Sequence, residues 1–113
     1  MRTVTLGLSS REESSERFLA AFKGKPKGEF ISFASPELLF KTLSGNRWEL
    51  LKVMTGAGAI SIREASRRLD RDVKAVHSDV HVLLNAGILR KTEKGRIEFP
   101  FDAVRVDFTL EAA

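Results

Sequence analysis

The feature that most constrains this chain is an apolar repeat in its second half. Aliphatic side chains recur there at three- and four-residue steps, at Val73, Val76, Val80, Leu83 and Leu84. Such spacing places them on one side of a helix. Asp72 is a suitable N-cap and Gly87 a suitable stop. The pattern predicts a helix over residues 72–86 that buries one face and leaves the other exposed.

Two shorter helices are predicted before this one. Asn46 caps a helix over residues 47–55, in which Trp48, Leu51 and either Val53 or Met54 face the core. The next helix starts at Ser61, with Ser61 and Glu64 at the spacing of a reciprocal capping box, and ends at Leu69. Asp70 and Arg71 then form a tight turn, and Asp70 is suited to a left-handed conformation there.

A β-hairpin is predicted directly after the helix over residues 72–86. Its strands cover residues 88–92 and 96–101, and Lys94-Gly95 suits a two-residue turn. Helix, short strand, helix, tight turn, helix and basic hairpin, in that order, form the plan of a winged helix-turn-helix domain.

The rest of the chain predicts strands at both ends. Val4, Leu6 and Leu8 alternate with smaller polar residues, and Phe30, Ile31 and Phe33 form a second short strand. Between them we expect a helix over residues 11–22 and a loop over residues 23–28. Ser35-Pro36 begins a helix through Leu43, and the last strand covers residues 104–110. The expected fold is α+β: a strand-helix-strand extension (1–35), then a winged helix-turn-helix domain with a C-terminal strand (36–113).

Positive charge is concentrated in the segment that contains the predicted helix over residues 72–86 and the predicted hairpin. The chain has 19 basic and 15 acidic residues, a net charge of +4. Residues 61–96 contain nine basic and five acidic residues, so this segment carries the whole excess. That distribution is typical of a surface for a polyanion, although a solvated basic surface has the same composition.

Double-stranded DNA is the partner that these patterns favour. Lys74, Ala75 and Ser78, with His77 and His81 on the flank, would face base edges in the major groove. Phosphates would be contacted from the preceding helix, the turn and the hairpin, by Arg63, Arg67, Arg68, Arg71, Arg90, Lys91, Lys94 and Arg96. Asp79 is interpreted as a brace for a nearby arginine.

A family resemblance follows from the same residues. The stretch SIREASRRLDRDVKAVHSDVHVLLNAGIL, residues 61–89, resembles the reading part of MarR-like winged-helix regulators. The whole chain is similar to short prokaryotic transcriptional regulators that share an SIRE-type helix, a DVKxVHxDV helix, a basic hairpin and a terminal VDF strand. The resemblance implies a transcriptional regulator that represses its own operon, and an antitoxin paired with a small toxin. Related proteins often carry arginine where this chain has His77 and Ser78, so no base preference is carried over.

Several other functions are disfavoured. His77 and His81 could share a metal ion, but no third ligand stands at a convincing spacing and the chain has no cysteine. His77, Ser78 and Asp79 diverge along a helix, so they form no catalytic relay, and the dispersed acids count against a nuclease. Gly56-Ala57-Gly58 lacks the lysine of a phosphate-binding loop. We therefore expect no enzymatic activity, metal or cofactor.

The remaining expectations concern partners and location. Strands 2–8 and 104–110 would pair with each other or with a second subunit, and we predict a homodimer built by these segments. A toxin would dock on the extension through Phe18, Leu19, Phe22, Phe30 and Phe33, which could equally fill the core. No signal-peptide or membrane-spanning pattern is present, which predicts a cytoplasmic protein. The alternative function is a winged-helix module that binds protein rather than DNA.

Overall fold

A computed structural model describes residues 1–8, 29–110 and 112 of the chain. These residues form a mixed α+β fold. Its strands are β1 (Thr3–Leu8), β2 (Glu29–Phe33), β3 (Arg90–Lys91), β4 (Ile97–Glu98) and β5 (Ala103–Asp107), and its helices are α1 (Pro36–Thr42), α2 (Asn46–Met54), α3 (Ile62–Leu69) and α4 (Val73–Asn85). No helix in this part of the chain is long and apolar enough to span a membrane.

The two ends of the chain meet in one parallel sheet of order β2-β1-β5. Leu6 in the central strand is paired with Ile31 on one side and Val106 on the other. Val4 and Leu6 of this central strand are fully buried, because they point to the face of the sheet that packs in the hydrophobic core. The predicted strands at both ends are thus confirmed, and they pair with each other within the chain. The predicted helix over residues 11–22 and loop over residues 23–28 lie outside the described residues.

The predicted hairpin is confirmed, with shorter strands and a different turn. β3 and β4 are antiparallel, and Ile60 forms a further bridge with Ile97. The backbone N–H of Thr92 donates to the carbonyl of Arg96 at 2.8 Å, and Gly95 has a φ of 77°. Three residues, 93–95, therefore form the loop rather than the two predicted, because the left-handed glycine adds a bulge position after the turn.

One hydrophobic core joins the sheet to the helices. Val76, Val80 and Leu83 of α4 are fully buried, as the apolar repeat predicts. They belong to the same cluster as Val4 and Phe33 of the sheet. Phe33 therefore fills the core rather than presenting a surface for a partner. Phe18, Leu19 and Phe22 lie outside the described residues, and the division at residue 35 remains a prediction.

Three local predictions are wrong. Trp48 is 37% exposed, because Leu50, Leu51 and Met54 occupy the core face of α2 and Trp48 lies roughly 110° from its middle. Val73 is 39% exposed, since it stands in the first turn of α4 at the edge of a groove beside Ile62. Asn46 is the first helical residue rather than the cap: Gly45, with a φ of 46°, precedes the helix and makes no side-chain capping bond.

Candidate nucleic-acid interface

The turn between α3 and α4 fixes where α4 begins. Asp70 has φ 52° and ψ 49°, which confirms its predicted left-handed conformation. The Arg71 N–H donates to the carbonyl of Ser66 at 3.1 Å, and the Ser66 hydroxyl donates to the carbonyl of Arg71. Asp72 caps α4 as predicted, its Oδ2 accepting from the N–H groups of Lys74 at 3.1 Å and Ala75 at 3.4 Å. Both sides of the turn are thereby held by hydrogen bonds.

An open groove between α3 and α4 brings four of the predicted site residues together. Arg63, Lys74, His77 and Ser78 line it, with Ile62 and Val73 as its apolar wall. All four are exposed, whereas Ala75 is half-buried beside them. Guanidinium, ammonium, imidazole and hydroxyl groups are the donors that contact phosphates and base edges. The N-terminal half of α4 thus offers donors and small side chains on one accessible surface.

Arg71 differs from the four residues of the groove, because its guanidinium group is hydrogen-bonded to another side chain of the protein. Arg71 Nη1 donates to Asp79 Oδ2 at 3.0 Å, and Arg47 Nη1 donates to the other oxygen, Oδ1, at 3.4 Å. The side chain of Asp79 is only 13% exposed. The interpretation of Asp79 as a brace is therefore confirmed, and it braces two arginines. Whether Arg71 also reaches a phosphate stays a prediction.

Arg47, which no sequence pattern singled out, ties three elements together. Besides meeting Asp79 on α4, Arg47 Nε donates to the carbonyl of Thr42 at 2.6 Å and Nη2 to that of Lys41 at 2.7 Å. It thus satisfies carbonyls at the end of α1 from the first turn of α2. No local pattern identifies such a residue, because its acidic partner lies 32 positions away.

Arg67 and Arg68 on α3 share one carboxylate. Glu64 accepts from Arg67 Nε at 3.0 Å and from Arg68 Nε at 2.9 Å. Hydrogen bonds from Arg67 first and Arg68 second lower the pKa of Glu64 to about 2. The Ser61 half of the predicted capping box is confirmed, since its Oγ accepts from the Glu64 N–H at 3.0 Å. The reciprocal half is not observed, because the Glu64 carboxylate turns toward the two arginines instead.

The remaining basic residues that were predicted to contact DNA form two groups, those with an ion-pair partner and those without one. Arg90 on β3 forms an ion pair with Glu98 on β4. Five of the cations predicted to contact DNA are exposed and have no ion-pair partner within the described ranges, namely Arg63, Lys74, Lys91, Lys94 and Arg96. Lys41 on α1, which was not predicted to contact DNA, is also exposed and has no such partner there. The Ile60–Ile97 bridge joins the hairpin to the chain two residues before α3. The unpaired positive charge of the predicted site therefore lies on the groove and the hairpin.

His77 and His81 are in mutual contact on α4, with Nε2 atoms 3.2 Å apart. Across residues 1–8 and 29–110, no cluster of three histidine, aspartate or glutamate side chains is arranged to hold a metal ion.

One comparison with known proteins gives a match. The model of the HVO_A0114 family matches residues 42–106. This stretch contains α2, α3, α4 and the hairpin, together with nearly all of β5. No curated protein and no solved structure matches the chain.

The Asp79 brace yields a stability prediction. Asp79→Asn removes the charge that two mostly buried guanidinium groups share, so it should lower the free energy of unfolding by about 1–3 kcal/mol. The matched control is Glu49→Gln, whose partner Lys52 is 60% exposed. That change should cost at most about 0.5 kcal/mol. Urea unfolding measures both, and equal costs would contradict the brace.

Glu64 yields a pH prediction. Its pKa is lowered from 4.5 to about 2, so its ion pairs stabilise the fold at pH values above 4.5. That contribution is lost as the pH falls through about 2, where the folded protein takes up the proton. Carbon-detected NMR titration of the carboxyl group should place its midpoint far below an ordinary glutamate, and Arg67→Gln should raise it. A midpoint near 4.5 in the unaltered chain would contradict the shared pairing.

Proposed function

The chain belongs to the HVO_A0114 family, and we propose that it is a sequence-specific DNA-binding transcriptional regulator with a winged helix-turn-helix domain. In this proposal α4 enters the major groove, α3 crosses the phosphate backbone, and the β3–β4 hairpin is the wing. The observation that carries the proposal is the groove in which Arg63, Lys74, His77 and Ser78 stand together at the capped start of α4.

Helix geometry supports α4 as the helix that contacts the bases. Val76, Val80 and Leu83 bury one side of it completely, which fixes the direction of the opposite side. On that side Lys74 and Ser78 are exposed and stand about one helical turn apart. A lysine can donate to guanine and a serine to several bases, so sequence would be read mainly by these two residues.

The distribution of ion pairs supports unequal contributions of the basic residues to DNA binding. Lys91, Lys94 and Arg96 are exposed around the hairpin loop and have no acidic partner in the described part of the chain. They are available for phosphates or for a narrow minor groove. Arg67 and Arg68 form ion pairs with Glu64, which they would have to break or weaken in order to contact a phosphate. Their contribution to DNA affinity should therefore be smaller.

The biological role in this proposal follows the resemblance to short prokaryotic regulators. The chain would act in the cytoplasm as an autorepressor, and as an antitoxin if a toxin is its partner. Two copies would bind a palindromic site. The dimer would form at the outer edges of β2 or β5, because β1 has a strand on each side.

A second candidate function is a protein-interaction module with the same architecture. Exposed apolar residues on α4 favour it, since Val73 and Val82 are each 39% exposed. A peptide or partner helix could cover these side chains. This candidate predicts no salt-dependent affinity for DNA.

Fluorescence anisotropy with two duplexes tests the proposal. The DNA upstream of the protein's own gene should bind at least about a thousandfold tighter than a scrambled duplex, and affinity should fall steeply with salt. Lys74→Ala should weaken binding to the upstream duplex by about tenfold, since a good base contact is worth about 1–3 kcal/mol.

Lys52→Ala is the matched control, because Lys52 is an exposed lysine on α2 that lies outside the groove and pairs with Glu49. It should bind both duplexes as the unaltered chain does. Equal affinity for the two duplexes would refute specific reading, and absence of binding at low salt would favour the interaction module.

A further inference from the structure

Two histidine side chains on α4 converge on a common point. His77 and His81 are the only histidines of the chain. Their Nε2 atoms are 3.2 Å apart, whereas their ring centroids are 4.3 Å apart at an interplanar angle of 51°. The nitrogens thus lie closer together than the ring centres do, which places the two Nε2 atoms on the near sides of the two rings. A spacing of four residues on a helix makes this convergence possible.

The spacing of the two nitrogens suits one metal ion. Metal–nitrogen bonds to imidazole are about 2.0–2.1 Å long, so two such ligands on one ion stand roughly 2.8–3.4 Å apart for angles between square and tetrahedral. The observed 3.2 Å lies within this range. In the metal-free protein the same contact is a hydrogen bond in which one Nε2–H donates to the other Nε2. That donor ring would bind metal after its proton moves to Nδ1.

Both rings are available to a ligand. His77 and His81 are exposed, and their mutual contact is the one hydrogen bond that either side chain makes within the described residues. The chain has no cysteine that could compete for a soft metal ion. Neither ring is buried in the core, and neither forms an ion pair with another described residue.

We propose that His77 and His81 form a two-imidazole chelate that binds one divalent transition-metal ion, Zn²⁺, Ni²⁺ or Cu²⁺, on the exposed face of α4. Imidazole suits these ions, whereas Mg²⁺ and Ca²⁺ prefer oxygen ligands. Water fills the remaining coordination positions. The site does not depend on DNA binding, because both ligands come from one helix of one chain.

The surroundings determine which ions the site takes. Arg63 and Lys74 line the groove next to His77, and their positive charge opposes any cation held there by electrostatics alone. Binding must therefore come from the coordinate bonds to nitrogen. This favours the order Cu²⁺ over Ni²⁺ and excludes Mg²⁺. Arg63 and Lys74 also favour an anion as an additional ligand of the bound metal.

Isothermal titration of the full, untagged chain with NiCl₂ tests the site. The unaltered protein should bind one Ni²⁺ per chain, and MgCl₂ should give no heat of binding. His77→Gln and His81→Gln should each weaken Ni²⁺ binding by at least about tenfold. Each variant keeps one imidazole ligand and loses the second one, which the helix holds at a high effective concentration beside the bound ion.

The chain offers a control that keeps both imidazoles. In H81Q/V82H the second histidine stands five residues from His77, about 140° around the helix, so the pair cannot chelate. Val82 is 39% exposed and tolerates a polar side chain. Circular dichroism confirms that each variant is folded, and Cu²⁺ electron paramagnetic resonance reports whether two imidazole nitrogens are bound. The chelate predicts two nitrogens in the unaltered chain and weak binding by H81Q/V82H. Equal Ni²⁺ affinity of these two proteins would overturn the proposal.

Discussion

The turn between α3 and α4 positions the helix on which the proposed interface depends. Its backbone follows a left-handed Asp70, and hydrogen bonds between Ser66 and Arg71 close it. Asp79 then holds Arg71 from the second turn of α4. These contacts are polar and mostly shielded from water, so each costs more to break than a surface pair would. The direction of α4 is therefore set by the turn as much as by the apolar core beneath it.

The same polar contacts divide the basic residues into two groups. Arg47 and Arg71 serve the fold, since the shared carboxylate of Asp79 holds both of them. No such partner among the described residues holds Arg63, Lys74 or the three basic residues around the hairpin loop. A net charge counted from the sequence combines these groups, whereas only the second is available to a polyanion. The proposed function thus rests on fewer charges than the composition suggests.

Local features of the fold could be predicted from the sequence, whereas the order and the direction of the strands at the two ends could not. Asp70, Asp72 and the buried face of α4 follow from turn preference, capping and helical periodicity, which act over a few residues. The parallel order β2-β1-β5 joins residues about a hundred positions apart, and no local pattern specifies it. The burial of Trp48 was predicted wrongly because a large aromatic residue is usually buried. Its exposure depends on which other residues of α2 form the face that packs on the core. The contact between His77 and His81 depends on side-chain rotamers, so spacing alone could not establish it.

Amide chemical-shift mapping on the ¹⁵N-labelled chain tests most directly whether the exposed face of α4 reads DNA. The protein would be titrated with the duplex upstream of its own gene at moderate salt. We predict that the largest shifts fall on the first half of α4, around Lys74 and Ser78, and on the hairpin loop at residues 92–96, with the amides of β1 unchanged. Shifts concentrated on the sheet, or none at saturating DNA, would contradict this prediction.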